Sequence, residues 1–345
     1  MILIISSPRD AHAQAVAKSL TALARDDFHI LDLGDMPMRM DLGIAMASGA
    51  AARFALRLAD RRRIDLAEVT AVWWRRPQPY GLPPELSDPV HRAFAQQELD
   101  FALRGAWQCS RALWVNDVAC DAAASNKVWQ LDVANALGLR IPRTLITNSP
   151  EDAERFCDET SGSIVYKAFL ASAMAWRETR ILRPDDRALL AMVRVAPVIF
   201  QAYVPAIFDL RVTVVGDRIF AAAAETSKGE YTTDIRMNPG ITWREYQLPD
   251  DVSERVPRLM ETLGLEYGAL DFRVTPDGEH VFLEINPAGQ FLFIENATGM
   301  PIAAAMAAHL AAGVQGGRKG GLNTSAGSTP TEQSNPQAQA QHPMT

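Results

Sequence analysis

Short apolar runs alternate with amphipathic segments along the first third of the chain. The apolar runs end at polar or turn residues and predict strands at 2–5, 30–33 and 69–74. Apolar residues at helical spacing predict helices at 11–23, 45–58 and 91–107. Because alternating strands and helices are typical of an open α/β sheet, residues 1–120 are predicted to form an N-terminal α/β domain.

The pattern changes after residue 120, where hairpin signals become frequent. Further helices are predicted at 126–137, 150–159, 186–195, 252–263 and 301–312. Strands are predicted at 144–147, 163–168 and 198–203, and two hairpins at 209–224 and 268–285. These elements predict a small α+β domain at 121–197 and an antiparallel-sheet domain at 198–315. Residues 316–345 are polar and rich in Gly, Ser and Pro, and are predicted to be disordered.

Composition narrows the class of protein. The net charge is −7 and no apolar run is long enough to span a membrane, so we expect neither a broad nucleic-acid surface nor a membrane protein. The start is typical of a strand, and the three cysteines have no metal-like spacing, which favours a cytoplasmic protein with reduced thiols. One compact basic run, Arg61, Arg62 and Arg63, follows the predicted helix 45–58 and is expected to be its solvated end.

Two acidic residues and an amide lie on the second predicted hairpin of the C-terminal domain. Glu284 and Asn286 are two residues apart and so face the same side of a strand, and Asp271 can approach them from the paired strand. Three oxygen ligands without nearby His or Cys suit a hard cation such as Mg²⁺. A solvated sheet face is the alternative, but a carboxylate in so apolar a strand needs a partner. The sequence therefore predicts a magnesium site here.

A second group of residues could bind a nucleotide. The apolar strand edge at 200–204 could meet adenine through its main chain, Asp209 could accept ribose hydroxyls, and Arg211 could reach a phosphate. A core strand followed by a surface ion pair explains this pattern equally well. Lys127 at a helix start and Lys167 in an apolar strand are as ambiguous, because lysines at such places commonly face solvent.

The order of these elements resembles the ATP-grasp superfamily over about two thirds of the chain. The resemblance implies an ATP-grasp fold, with an N-terminal pre-ATP-grasp domain and a small central lid domain. It implies phosphate contacts from Lys127 and Lys167, and adenine and ribose contacts from Gln201, Ala202, Tyr203, Val204 and Asp209. It also implies that two Mg²⁺ ions bind to Asp271, Glu284 and Asn286.

A narrower resemblance, over nearly all of the chain before the tail, is to the microviridin-type peptide maturases, or graspetide synthetases. It rests on Trp73-Trp74-Arg75-Arg76-Pro77, Ser125-Asn126-Lys127, Asp234-x-Arg236, Asp271-Phe272-Arg273 and the run 284–290. Such enzymes link Asp or Glu side chains of a ribosomal precursor peptide to Ser or Thr (ester) or Lys (amide) side chains. The implied partners are a precursor with a leader and a Thr/Ser plus Asp/Glu-rich core, and a second copy in a homodimer. In one departure from many ATP-grasp enzymes, the segment 169–177 contains no glycine.

The resemblance also implies a mechanism. A carboxylate attacks the γ-phosphoryl group of ATP, and a hydroxyl or amine then attacks the acyl phosphate. Because carboxylate and ATP are both anionic, Mg²⁺, Lys167 and arginines must offset their repulsion. Arg211, Arg236 and Arg273 are the candidates for this clamp, since a guanidinium matches phosphate oxygens. No general base is identified; Asp234 is one candidate, and a structural partner for Arg236 is an equal alternative.

Two other functions stay open. A ligase that joins an amino acid to a small molecule or to a protein C-terminus would use the same ATP site. A regulatory nucleotide-binding protein without turnover is disfavoured by the complete set of metal ligands. Arg75 and Arg76, at a strand end that faces the ligand crevice, fit contact with an acidic peptide or a pair of interface or surface arginines beside core tryptophans about equally well.

Overall fold

The structure, a computed structural model, describes residues 1–169, 179–225 and 241–313. Asp234, Arg236, the predicted tail 316–345 and most of the segment 169–177 lie outside these residues. No helix in the described ranges combines the length and the apolar composition that a membrane span needs.

A four-stranded parallel sheet organises the N-terminal region. Its order is β2-β1-β6-β7, formed by β1 (Ile2–Ser6), β2 (Phe28–Leu31), β6 (Ala71–Arg76) and β7 (Leu113–Val115). Alternate residues of β1 face opposite sides, so that Ile2 and Ile4 pack with α1 (Ala11–Ala22) and Leu3 and Ile5 with α2 (Pro89–Cys109). The predicted open α/β sheet is therefore confirmed.

The predicted helix at 45–58 is wrong. The chain there forms an antiparallel sheet of β3 (Asp41–Ala45), β4 (Arg53–Arg57) and β5 (Arg63–Asp65). Leu56 is buried while Arg57 is exposed, which is the two-residue alternation of a strand. Phe54 and Leu58 suggested a helical turn because a four-residue spacing also satisfies a period of two.

The basic run is consequently not a helix end. Arg61 has a φ of 67° and turns the chain between β4 and β5. Arg62 pairs with Asp60, and Arg63 begins β5. The three arginines therefore lie at the exposed turn of the β4–β5 hairpin.

An antiparallel four-stranded sheet forms the central region, in the order β10-β9-β11-β8. Its strands are β8 (Thr144–Thr147), β9 (Ile164–Lys167), β10 (Arg180–Ile181) and β11 (Val198–Ala202). The helix α5 (Pro150–Glu159) and a 3₁₀ helix (Pro184–Val195) share a small core with this sheet. The predicted helix at 186–195 is thus a 3₁₀ helix. β11, predicted to begin the C-terminal domain, pairs with β8 and β9 of the central sheet.

The C-terminal region is built on an antiparallel sheet in the order β14-β13-β12-β15-β16. Its strands are β12 (Phe208–Val215), β13 (Arg218–Glu225), β14 (Trp243–Glu245), β15 (Tyr267–Val274) and β16 (His280–Asn286). The accompanying helices are α3 (Val118–Ala124), α4 (Lys127–Ala136), α6 (Asp250–Leu263), α7 (Leu292–Thr298) and α8 (Ile302–Ala312). Both predicted hairpins are confirmed.

The first and last helices join the two ends of the described chain. α1 and α8 pack against each other, and residues of both lie in one buried cluster with β1, β12 and β15. Arg25 Nη1 donates to the carbonyl oxygen of Ala311 at 2.9 Å. The N-terminal and C-terminal sheets therefore share a core, and the candidate site lies beside this junction.

Candidate functional site

Two crossed ion pairs lie on one face of the C-terminal sheet. In the register of β12 with β15, Arg211 is opposite Asp271 and Asp209 is opposite Arg273. Arg211 Nη1 lies 3.1 Å from Asp271 Oδ1, and Arg273 Nε donates to Asp209 Oδ1 at 2.9 Å. Both arginines and Asp209 are buried. Because each strand carries one charge of each sign, the pairs hold the two strands and their side chains in fixed positions.

The three predicted metal ligands meet at the next pair of strands. Asp271 on β15 is directly opposite Glu284 on β16, and Asn286 follows on the same side of β16, opposite Ala269. Among the described residues, no three His, Cys, Asp or Glu side chains form a group that could hold a metal. The donor set here is instead two carboxylates and one amide, all oxygen donors, which fits Mg²⁺ with phosphate oxygens and water as its other ligands.

Both predicted lysines approach these carboxylates. Lys127 is the first residue of α4, directly after the capping residue Asn126, and forms an ion pair with Glu284. Lys167 ends β9 of the central sheet. Burial lowers the pKa of Lys167 to about 8, Lys127 adds to this decrease, and Glu284 and Asp271 oppose it. The fold therefore collects Lys127, Lys167, Glu284 and Asp271 into one electrostatically coupled group.

The predicted adenine segment lies at the end of β11. Gln201 is buried and its Nε2 donates to Thr144 Oγ1 at 2.9 Å. Ala202 N–H donates to the carbonyl oxygen of Arg143, and Val204 C=O accepts from Arg273 Nη1, both at 2.9 Å. An adenine contact with Ala202 would therefore use its carbonyl oxygen, whereas Val204 could use its N–H group or the second lone pair of its carbonyl oxygen.

Arg273 connects this segment to the sheet. Its guanidinium bonds to Asp209 and Val204 and lies over the ring of Tyr203, 5.2 Å from the centroid. Arg211 is placed differently, beside the predicted metal ligand Asp271 and 5.6 Å from the ring centroid of Phe293. The two arginines were predicted to act in one clamp, but the geometry gives them different neighbours.

Arg75 is not available to a peptide. It is buried, its Nη1 donates to the carbonyl oxygens of Ala288 and Gly289, and its Nε lies 3.7 Å from Asp10 Oδ2. Burial would raise the pKa of Asp10, but a hydrogen bond with His12 and the charge of Arg75 bring it well below its usual range. Of the two interpretations, the internal interface is correct for Arg75. For Arg76, which is exposed, peptide contact stays a prediction.

Other N-terminal residues hold the start of β15 and the loop that follows β16. Asn116 Nδ2 donates to the carbonyl oxygens of Tyr267 and Pro287, and its Oδ1 accepts from the N–H groups of Glu266 and Tyr267. His12 Nε2 accepts from Phe291 N–H at 3.2 Å. No sequence pattern predicts these contacts, since each joins residues more than a hundred positions apart.

Asp121 in α3 is a partly buried acid beside Asn116. Burial raises its pKa to about 6, against the effect of a hydrogen bond with Asn116. The ordinary pKa of an aspartate is 3.8, so between pH 3.8 and about 6 the folded state binds more protons than the unfolded state. The free energy of unfolding therefore falls as pH rises from about 4 to about 6.

Asp121→Asn is therefore expected to raise the free energy of unfolding by about 1–3 kcal/mol at pH 7.5 and to have little effect at pH 4. Thermal melting of both proteins at the two pH values checks this. Asp132→Asn, at an exposed position of α4, is the matched control and should change little. An equal gain at both pH values would contradict the account.

Comparison with known families identifies two domains in the chain. Residues 1–122 match the MvdD pre-ATP-grasp domain, and residues 124–310 match the RimK-like ATP-grasp domain. The second match alone covers more than half of the 345 residues. No curated protein matches the chain at a significant level.

Solved structures resemble the chain over most of its length. The macrocyclase MdnC of Microcystis aeruginosa MRC, bound with the precursor peptide MdnA, is 31% identical, with a TM-score of 0.78 over 90% of this chain and 98% of its own. MdnB of the same organism is 29% identical, with a TM-score of 0.74 and the same coverage. The ATP-grasp ligase PsnB, complexed with a minimal precursor, Mg and ADP, is 26% identical, with a TM-score of 0.73 over 90% of this chain and 96% of its own.

Proposed function

Because the chain belongs to the RimK-like ATP-grasp family, we propose that it is a peptide macrocyclase, which uses ATP to crosslink carboxylates of a precursor peptide to its hydroxyl or amine side chains. The observation that supports this most strongly is the likeness to MdnC, which extends over both the pre-ATP-grasp and the ATP-grasp regions. The chain is an ATP-grasp ligase, and ligases of this kind bind ATP or ADP with Mg²⁺.

The nucleotide and metal would bind between the central and C-terminal sheets. Asp271, Glu284 and Asn286 would hold two Mg²⁺ ions, which offset the repulsion between the carboxylate and the γ-phosphate. Lys127 and Lys167 would contact phosphates; at neutral pH a pKa of about 8 leaves Lys167 mostly protonated. Gln201 and Tyr203 would flank adenine, the main chain of Ala202 and Val204 would meet it, and Asp209 would bind the ribose.

Two transfers complete the reaction. An Asp or Glu side chain of the precursor attacks the γ-phosphorus, ADP leaves, and an acyl phosphate forms. A Ser, Thr or Lys side chain then attacks the acyl carbon, phosphate leaves, and the nucleophile loses its proton. Arg211 would stabilise the phosphate charge beside Asp271, with Arg236 and Arg273 as further candidates. Each crosslink consumes one ATP and removes one water from the peptide.

The partner is proposed to be a precursor peptide with a leader and a core rich in Thr/Ser and Asp/Glu, and the enzyme a cytoplasmic homodimer. The precursors in the MdnC and PsnB structures support a peptide substrate. Ester and amide products use the same acyl phosphate, so both stay within the proposal.

Acceptor-dependent phosphate release tests the proposal. With ATP and Mg²⁺, we expect phosphate release to rise at least about tenfold on addition of such a precursor peptide, because the acyl phosphate needs a peptide carboxylate. Free amino acids should give no such increase. The opposite pattern would favour a ligase that joins an amino acid to a small molecule or to a protein C-terminus.

A further inference from the structure

A side-chain amide closes part of the outer edge of β16. Among the described residues, this strand is the last of the C-terminal sheet, and no further strand pairs along its outer side, although Arg140 makes an isolated bridge to Val281. At Ile285, the N–H donates to Gln130 Oε1 at 3.1 Å, and the C=O accepts from Gln130 Nε2 at 2.8 Å. These are the two hydrogen bonds that a residue of an adjacent strand would supply.

Ile285 lies between two proposed metal ligands, Glu284 and Asn286. Its outward groups bond to Gln130, while its neighbours on the strand direct their main-chain groups towards β15. The amide of Gln130 therefore fixes the main chain at the point that sets the spacing of the two ligands.

Both polar atoms of the Gln130 side chain form hydrogen bonds. Its side chain is buried, and Nε2 also donates to the carbonyl oxygen of Ala124 at 2.6 Å. Lys127 lies one helical turn earlier on α4, on the same face, and pairs with Glu284. α4 thus bonds to two successive residues of β16.

We propose that Gln130 is a positioning residue for the metal site, which holds Glu284 and Asn286 at the separation that Mg²⁺ with nucleotide requires. The proposal rests on the proposed function, because it takes these residues as ligands. Mg²⁺ demands a nearly ideal octahedron, and loss of residues that orient its ligands commonly lowers metal affinity by about 10–100-fold. Without the two hydrogen bonds from Gln130, this part of the edge strand could shift enough to have that effect.

Calorimetric titration of ADP into the full-length protein, with Mg²⁺ and with EDTA, measures how much the metal tightens nucleotide binding. Gln130→Met has a similar length but neither hydrogen bond. The tightening is the ratio of the ADP affinity with Mg²⁺ to the ADP affinity in EDTA. We expect this ratio to be at least about tenfold smaller in Gln130→Met than in the wild type, while the ADP affinity in EDTA stays within about twofold of the wild type.

Two further variants complete the test. Gln130→Glu keeps an acceptor for Ile285 N–H but places an oxygen against the carbonyl oxygens of Ile285 and Ala124. It should therefore lose the tightening too. This variant replaces Gln130→Met in the test if Gln130→Met does not fold. Leu131→Ala is the matched control: this buried neighbour on α4 contributes packing, not the amide bonds, and its variant should keep the tightening.

Three results would be decisive against the proposal. Wild-type tightening in a folded Gln130 variant would show that the amide does not position the ligands. Equal loss in Leu131→Ala would show that only the stability of α4 matters. Absence of tightening in the wild-type protein would overturn the metal assignment itself, a failure distinct from that of Gln130.

Discussion

Glu284→Gln is expected to lower the rate of ATP turnover by about 10²–10³-fold and to leave the protein folded. Glu284 faces Asp271 across the hairpin and pairs with Lys127, so its charge acts on both the proposed metal and a lysine that is proposed to bind phosphate. The glutamine amide has the same shape as the carboxylate, and its oxygen can still accept a weaker hydrogen bond from Lys127. The substitution removes the negative charge with which Glu284 would bind a hard cation. Phosphate release under saturating ATP and peptide measures the effect.

Glu279→Gln is the matched control for this variant. Glu279 lies on the same hairpin but is exposed and pairs with Arg140, away from the metal ligands. It should turn over at the wild-type rate. Melting temperatures of all three proteins separate loss of function from loss of fold, and normal turnover in folded Glu284→Gln would remove the metal assignment.

Arg211→Met is expected to lower mainly kcat, and Arg273→Met is expected to raise mainly KM for ATP. Arg211 lies beside Asp271, so its loss should reduce kcat by about 10²-fold, as loss of a group that stabilises developing charge does. Arg273 holds Asp209 and Val204, so its loss should chiefly raise KM for ATP, by at least about tenfold, or 1.4 kcal/mol of binding energy.

Arg273→Met should also lose about 3–5 kcal/mol of stability, because it removes one partner of a buried ion pair. Arg211→Met should lose less, because its partner Asp271 is only partly buried. Adding Asp209→Asn to Arg273→Met removes the buried negative charge that Arg273 neutralised and should restore part of the stability without restoring KM. Steady-state kinetics with denaturant unfolding measure both quantities. A fall in kcat with unchanged KM in Arg273→Met would instead place Arg273 at the phosphate, as the sequence predicted.

The sequence was sufficient for the parts of the site that follow strand geometry. Glu284 and Asn286 share a face because they are two residues apart, and a short turn brings Asp271 opposite Glu284. The crossed pairs of Asp209 and Arg211 follow from the same alternation once β12 is known to lie beside β15.

The sequence pattern predicts the wrong element where helical and strand spacings coincide. Phe54 and Leu58 fit one helical turn and also alternate strand positions, and only the pairing of β4 with β3 and β5 decides between them. The assignment of β11 to the C-terminal region failed for a related reason, since its sequence does not show which sheet it joins.

Contacts between distant segments were beyond prediction. Gln130 is an unremarkable glutamine in an amphipathic helix until its partner, 155 positions away, is known. Asn116 and Arg75 are similar, because a buried polar side chain is recognised by the main-chain groups that it satisfies and not by its neighbours in sequence.

Mass spectrometry of a precursor peptide tests the central claim most directly. The peptide should come from a short reading frame beside the gene, with a core rich in Thr/Ser and Asp/Glu, and be incubated with enzyme, ATP and Mg²⁺. The account predicts successive losses of about 18 Da, one water for each crosslink, that require ATP and are absent with Glu284→Gln. An unchanged peptide mass, with phosphate released when free amino acids are supplied, would contradict macrocyclisation and identify a small-molecule ligase.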